Sequence, residues 1–129
     1  MCIRDRPYDL LLYIASWPKV RISHWQHLLK ARAIENQSYV LGVNRVGTDG
    51  NGLVYNGAST AIDFLGNTMT ESNNGEEEVL VVKLTKADMI KWRERMPIVE
   101  DADHYVFLDG NSELLSKQIL RNSMLKDSE

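Results

Sequence analysis

Cysteine is nearly absent: Cys2 is the single thiol in 129 residues. One thiol cannot close an internal disulfide, so a reducing, cytoplasmic compartment is expected. An excess of positive charge is missing too. Fifteen Lys and Arg against 18 Asp and Glu leave a net charge of -3, with a sequence pI near 5.6 and no basic stripe. That argues against nucleic acid or an anionic membrane as partner. The longest uncharged apolar run, Leu10 to Pro18, is far short of the roughly 20 residues a membrane span requires. The opening Met-Cys-Ile-Arg-Asp-Arg leads into no apolar stretch with a small-residue cleavage site, so no signal peptide is expected. Without secretion, the glycosylation-like triplet Asn36-Gln37-Ser38 carries no consequence. What remains, 43% hydrophobic and 26% charged residues, is the composition of a soluble globular chain of one domain. There is no internal repeat and no linker.

Tyr8 to Ala15 (YDLLLYIA) reads as a strand apolar on both faces, the kind buried in an α/β sheet. Ser16-Trp17-Pro18 ends it, because proline supplies no ladder donor. Ser23 with Gln26 three residues on suggests a capping box, and Trp25, Leu28, Leu29 and Ala33 then recur at helical spacing. Tyr39 to Val46 predicts a second strand, running into the glycine-rich Gly47 to Gly57, which reads as hairpin and turn chemistry. A third strand is expected over Ala58 to Phe64, then a turn and a short pairing segment at Thr68 to Glu71. Ser72 to Glu78 reads as an acidic loop, Val79 to Leu84 as another nearly all-apolar strand, and Lys86 to Arg95 as a helix capped by Thr85 and stopped by Pro97. Ile98 to Leu108 is expected to be extended, and Ser112 to cap a last helix reaching about Leu125. Strands alternating with helices in this way predict an α/β layered fold with a mixed sheet.

An ordered set of motifs runs through these elements: Tyr8-Asp9-Leu10-Leu11-Leu12, Ala15-Ser16-Trp17-Pro18, His24-Trp25, Ala31-Arg32-Ala33-Ile34-Glu35-Asn36-Gln37, Asn44-Arg45-Val46-Gly47, Asp49-Gly50-Asn51-Gly52, Tyr55-Asn56-Gly57-Ala58-Ser59, Asp63 and Gly66. Together they resemble the nitrilase superfamily of carbon–nitrogen hydrolases, in its omega-amidase-like branch. The resemblance covers residues 8–108, leaving 1–7 as a non-native or truncated leader and 109–129 as a helical tail. It implies a partial four-layer αββα sandwich whose homologues pair into dimers or higher oligomers through their helices. It also implies hydrolysis of a small carboxamide by a Glu-Lys-Cys triad, with no cofactor. In such a triad the cysteine attacks the amide carbon, the glutamate moves protons, and the lysine stabilises the oxyanion.

The resemblance gives this chain no counterpart for the glutamate and lysine. Cys2 superficially imitates the context of the nucleophile, which should be followed by a helix and then by the strand at Tyr8. A crossover between parallel strands takes roughly a dozen residues, yet only Ile3 to Pro7 separate Cys2 from Tyr8. The expectation is therefore the C-terminal part of an amidase, inactive by itself; the alternative is a catalytically dead interaction module of the same fold. By resemblance Ser16 and Trp17 line the amide pocket, at a strand end where open α/β sheets place ligand-contacting groups; plain core packing is the competing reading of Trp17. Glu35 is the most tempting base but belongs to the Arg-Ala-x-Glu-Asn pattern, with a bracing role expected. His24 and His27, three apart, lack further metal ligands. His104 stands alone among acidic residues and reads as structural. The Asp49 to Gly52 loop fits neither a phosphate loop nor a calcium loop, since Gly47 and Ala58 would fall at calcium-ligand positions.

Overall fold

The computed structural model describes residues 8–73 and 75–98. Cys2, His104, the stretch expected to be extended beyond Ile98 and the helix expected after Ser112 lie outside the described residues.

Among the described residues, six strands and two helices follow one another: β1 (Leu10–Ala15), α1 (Ile22–Glu35), β2 (Tyr39–Asn44), β3 (Val46–Thr48), β4 (Val54–Asn56), β5 (Thr60–Ile62), β6 (Thr68–Glu71) and α2 (Lys86–Arg95). β1 and β2 pair in parallel from Leu10↔Tyr39 to Ala15↔Asn44. β5 joins β2 antiparallel and β6 joins β5, giving a mixed sheet in the order β1-β2-β5-β6. β3 and β4 form a separate antiparallel hairpin, which is the hairpin reading of the glycine-rich stretch.

α1 covers one face of the sheet. Trp25, Leu29 and Ala33 recur at helical spacing and pack with Val40, Ala58 and Ile62, while Leu11, Ala15, Trp17 and Ile22 close the margin. The helix lies so near the central strand that a β-carbon on Gly42 would sit 2.4 Å from Leu29 Cδ1 and 2.8 Å from Trp25 Cζ2. The Trp25 indole N–H, buried here, donates to the Ala58 carbonyl at 2.9 Å, which keeps the ring from being an unsatisfied polar cost.

The opposite face is open at the β1 side. By strand alternation Leu10, Leu12 and Ile14 share it with Val43, and they are 44%, 55%, 74% and 45% exposed. One half of a sandwich is thus built and one apolar sheet face left uncovered among the described residues. α2 reaches the far end of this sheet, where the strands begin. Arg93 donates to Asp9 Oδ1, to the Tyr8 carbonyl and to the Gln37 carbonyl at 2.8, 2.7 and 3.0 Å, and Lys86 Nζ lies 2.6 Å from Asp9 Oδ2. These two cations, through hydrogen bonds foremost, hold the Asp9 carboxyl below its ordinary range.

Three local expectations are corrected. α1 begins at Ile22, led in by a 3-10 turn at Lys19–Arg21, so Ser23 lies inside the first turn and caps nothing. Its hydroxyl meets His27 Nδ1 at 3.4 Å, and the Gln26 amide is drawn off to Glu71 at 3.1 Å. Val79 to Leu84 forms no ladder with any described strand. Val79 and Val81 are each 90% exposed, and apolar character alone cannot make a strand without a hydrogen-bonding neighbour. Thr85 stands at the start of α2 without a side-chain cap. Its backbone instead exchanges hydrogen bonds with the Tyr39 hydroxyl, both 3.2 Å.

Candidate functional site

Parallel pairing brings the C-terminal ends of β1 and β2 side by side, with Ala15 opposite Asn44. The chain leaving β1 there is Ser16-Trp17-Pro18. Ser16 is exposed, Trp17 half-buried and Pro18 buried. Trp17 is held on every side. Its backbone N–H donates to Asn44 Oδ1 at 2.7 Å and its carbonyl accepts from Asn44 Nδ2 at 3.0 Å. Its indole N–H donates to the Arg21 carbonyl at 2.7 Å. Its ring packs against Trp25 at 5.9 Å, and the Arg21 guanidinium lies 5.5 Å from its centroid. Trp17 therefore packs at the core margin, as its core-packing reading expects, while its backbone is tied into the turn.

Asn44 carried part of the family pattern in the sequence but no role. The structure makes it the hub of this end of the sheet. Only 6% exposed, it spends its second amide hydrogen on the Gly57 carbonyl at 2.6 Å. Its backbone N–H donates to Ser59 Oγ at 3.0 Å, and that hydroxyl donates back to the Asn44 carbonyl at 3.2 Å. Ser59 and Ser72 are tied in turn, by Ser59 N–H to Ser72 Oγ at 2.8 Å and Ser72 N–H to the Ser59 carbonyl at 2.7 Å. The one available signal was a carboxamide closing an otherwise apolar strand. A buried amide must find partners, though the sequence does not say which.

The β3–β4 hairpin stands beside this turn, β4 touching Lys19–Arg21. At its tip Asp49 accepts backbone N–H groups from Asn51 and Leu53, both at 2.9 Å, and the Tyr55 hydroxyl at 3.0 Å. These donors, Leu53 first, hold the Asp49 carboxyl below its usual range, whereas burial and then Asp49 push the Tyr55 hydroxyl up. The Arg45 guanidinium lies 4.6 Å from the Tyr55 ring centroid.

The other candidates lie elsewhere. Glu35 sits at the last turn of α1, paired with Arg32 and accepting from Asn36 Nδ2 at 3.3 Å. With a rise of about 1.5 Å per residue, that helix carries it roughly 20 Å from the Ser16 end. His27 is 2.6 Å from the Ser23 carbonyl through Nδ1 and His24 is exposed. Among the described residues no three His, Cys, Asp or Glu side chains gather where a metal could be held, and no helix is long and apolar enough to cross a membrane.

Comparison with known proteins fits this geometry. The carbon-nitrogen hydrolase family model matches residues 7–94. Omega-amidase YafV of Yersinia enterocolitica is 46% identical over 104 residues, covering 81% of this chain and 41% of that protein. A CN-hydrolase superfamily protein of Xanthomonas campestris, solved with an arsenic adduct in its active site, superposes with a TM-score of 0.74 at 44% identity, covering 78% of this chain and 38% of that one. An amidase from Nesterenkonia sp. AN1, carrying the acetamide moiety of fluoroacetamide on its active-site cysteine, is 30% identical with a TM-score of 0.52, over 71% of this chain and 34% of its own. The chain thus spans about two fifths of the length of the relatives it matches. A family model matched over most of the chain, on a mixed sheet whose helix-covered half is the one described above, makes this chain a member of the carbon–nitrogen hydrolase family, with the α/β fold of the nitrilase superfamily.

Proposed function

We propose that this chain is the C-terminal part of an amidase that hydrolyses a small carboxamide of the omega-amide type. The observation that carries the reading is the locked Ser16–Trp17 turn at the end of β1, within a chain 46% identical to an omega-amidase. A cysteine thiolate from the part of the enzyme that this chain does not match attacks the amide carbon, and ammonia leaves with a proton supplied by the glutamate. Water then attacks the acyl-enzyme, releasing the carboxylic acid and restoring the thiol. Trp17 anchors the turn, and Ser16 faces the amide beside the nucleophile. The glutamate and lysine come from the part of the enzyme the relatives possess and this chain does not match. We place the enzyme in the cytoplasm and as a dimer or higher oligomer, with no cofactor.

The uncovered face of Leu10, Leu12, Ile14 and Val43 supports the same reading, because an apolar sheet face of that kind is built to be covered. Expressing the complete reading frame that contains this chain, beside the 129-residue chain alone, and assaying ammonia release from omega-amides tests it. Activity is expected from the complete protein and none from the chain alone. A reading frame lacking a Glu, a Lys and a correctly spaced Cys, with no amide hydrolysis, would establish the catalytically dead module instead.

A further inference from the structure

Asn44 has a geometry that fold stability alone does not explain. A buried carboxamide has one acceptor oxygen and two N–H donors to satisfy. Here all three go to segments leaving strand ends: the oxygen to Trp17 N–H, one hydrogen to the Trp17 carbonyl, the other to the Gly57 carbonyl. The N–H and C=O of one residue, Trp17, are gripped by one side chain, which fixes the orientation of the two peptide planes that meet at Trp17 as well as their place. The ring of Trp17 is separately locked, by Arg21 and Trp25. Ser16, immediately before it, is exposed, and nothing among the described residues hydrogen-bonds to its hydroxyl.

We infer that Asn44 is the positioning residue of the amide pocket, setting the Ser16–Trp17 turn through both polar groups of the Trp17 backbone. This rests on the reading of that turn as pocket wall. A side chain that merely filled space could be replaced by any isostere. A clamp of this design tolerates only a residue with an acceptor and two donors in one plane. Asn44→Asp is nearly the same size and keeps the acceptor, but turns a carboxylate oxygen toward the Trp17 and Gly57 carbonyl oxygens. Burial and the facing carbonyls raise the pKa of such an acid. Protonation would then restore one donor and part of the clamp.

The test uses the complete enzyme labelled with 5-fluorotryptophan, the Trp17 resonance being the one lost in Trp17→Phe. Asn44→Ala and Asn44→Asp are each expected to move that resonance. Each should also lower kcat/KM on an omega-amide by about 100-fold, the order expected when a positioned group slips by about 1 Å. For Asn44→Asp, the resonance and the activity relative to unsubstituted enzyme should both recover as pH falls. Ile62→Val, which thins the core under the same sheet, controls for lost stability and should leave the resonance and KM in place. An unmoved Trp17 resonance in Asn44→Ala would overturn the assignment, as would a displaced resonance with unchanged kcat/KM. An Asn44→Asp enzyme that ignores pH would do the same. Absence of amide hydrolysis by the unsubstituted protein would overturn the functional reading itself, which is a separable result because the control is measured first.

Discussion

Gly42→Ala places a methyl group where α1 leaves no room. The added carbon would meet Leu29 Cδ1 at 2.4 Å, Trp25 Cζ2 at 2.8 Å and Trp25 Cε2 at 3.4 Å. Neither neighbour yields freely: Leu29 is 3% and Trp25 2% exposed, and the indole is tethered to the Ala58 carbonyl. Overpacking a filled core costs about 1–3 kcal/mol. Against that, alanine reduces the freedom of the unfolded chain and returns about 0.4–1 kcal/mol. A net loss of about 1–2 kcal/mol follows, which lowers the Tm of the complete enzyme by about 2–8 °C at the usual scaling for larger domains. Thermal unfolding followed by tryptophan fluorescence measures it. The double variant Gly42→Ala with Leu29→Ala separates causes. Leu29→Ala alone is expected to cost about 2–5 kcal/mol, but in its background the penalty of alanine at 42 should shrink to what the Trp25 contact alone imposes, a coupling of contacting residues. An equal penalty in both backgrounds would refute the contact as the reason for glycine.

Asp9 sets an acid limit on the docking of α2. Its folded pKa is depressed, so its contribution is complete above the unfolded value of 3.8 and is lost as pH falls through the lower folded one. Asp9→Asn should flatten the acid limb of a stability–pH curve, and an unchanged limb would remove Asp9 from the account. Trp25→Phe leaves the buried Ala58 carbonyl without its donor and is expected to destabilise by about 1–3 kcal/mol, measured by denaturant midpoint. Ile14→Lys should make the isolated 129-residue chain less associated in sedimentation, since Ile14 is 74% exposed there, while destabilising the complete enzyme; the same sign in both would show the face to be open in both. Ser16→Ala should alter kcat/KM on an omega-amide with no change in Tm, whereas Trp17→Phe should lower both, and the reverse pattern would exchange their roles.

Periodicity made α1 legible because a helix writes its core face into its own sequence, as Trp25, Leu29 and Ala33 do, whereas α2 was bounded by Thr85 before it and Pro97 after it. The strands β1 and β2 were legible for their apolar runs. Val79 to Leu84 shows where that signal fails. Its pattern resembles theirs, but a strand is a relation between two segments, and the described residues offer it no ladder. Ser23 and Gln26 show a second limit: the capping-box spacing was present, yet the 3-10 turn at Lys19–Arg21 led the helix in at Ile22, ahead of Ser23, and Glu71 captured the glutamine. The Ser16–Trp17 turn could be placed from proline and strand-end position. Asn44 could not, because its partners at Trp17 and Gly57 lie 27 and 13 residues away in sequence.

The polar wiring at the strand ends also divides labour between the two residues proposed for the pocket. Trp17 has little left to offer a substrate: its N–H and carbonyl are taken by Asn44, its indole N–H by Arg21, and its ring lies against Trp25. Ser16 carries the opposite balance, an exposed residue on a turn it does nothing to secure. A pocket wall needs both properties, since a contacting group acts in proportion to how firmly it is held. The chain separates them into adjacent residues, one fully engaged and one left open. The separation also explains why so polar a network sits beside an uncovered apolar face. Asn44, Ser59 and Ser72 satisfy one another on the side that α1 already closes, so the turn can be set within this chain before anything covers Leu12 and Ile14.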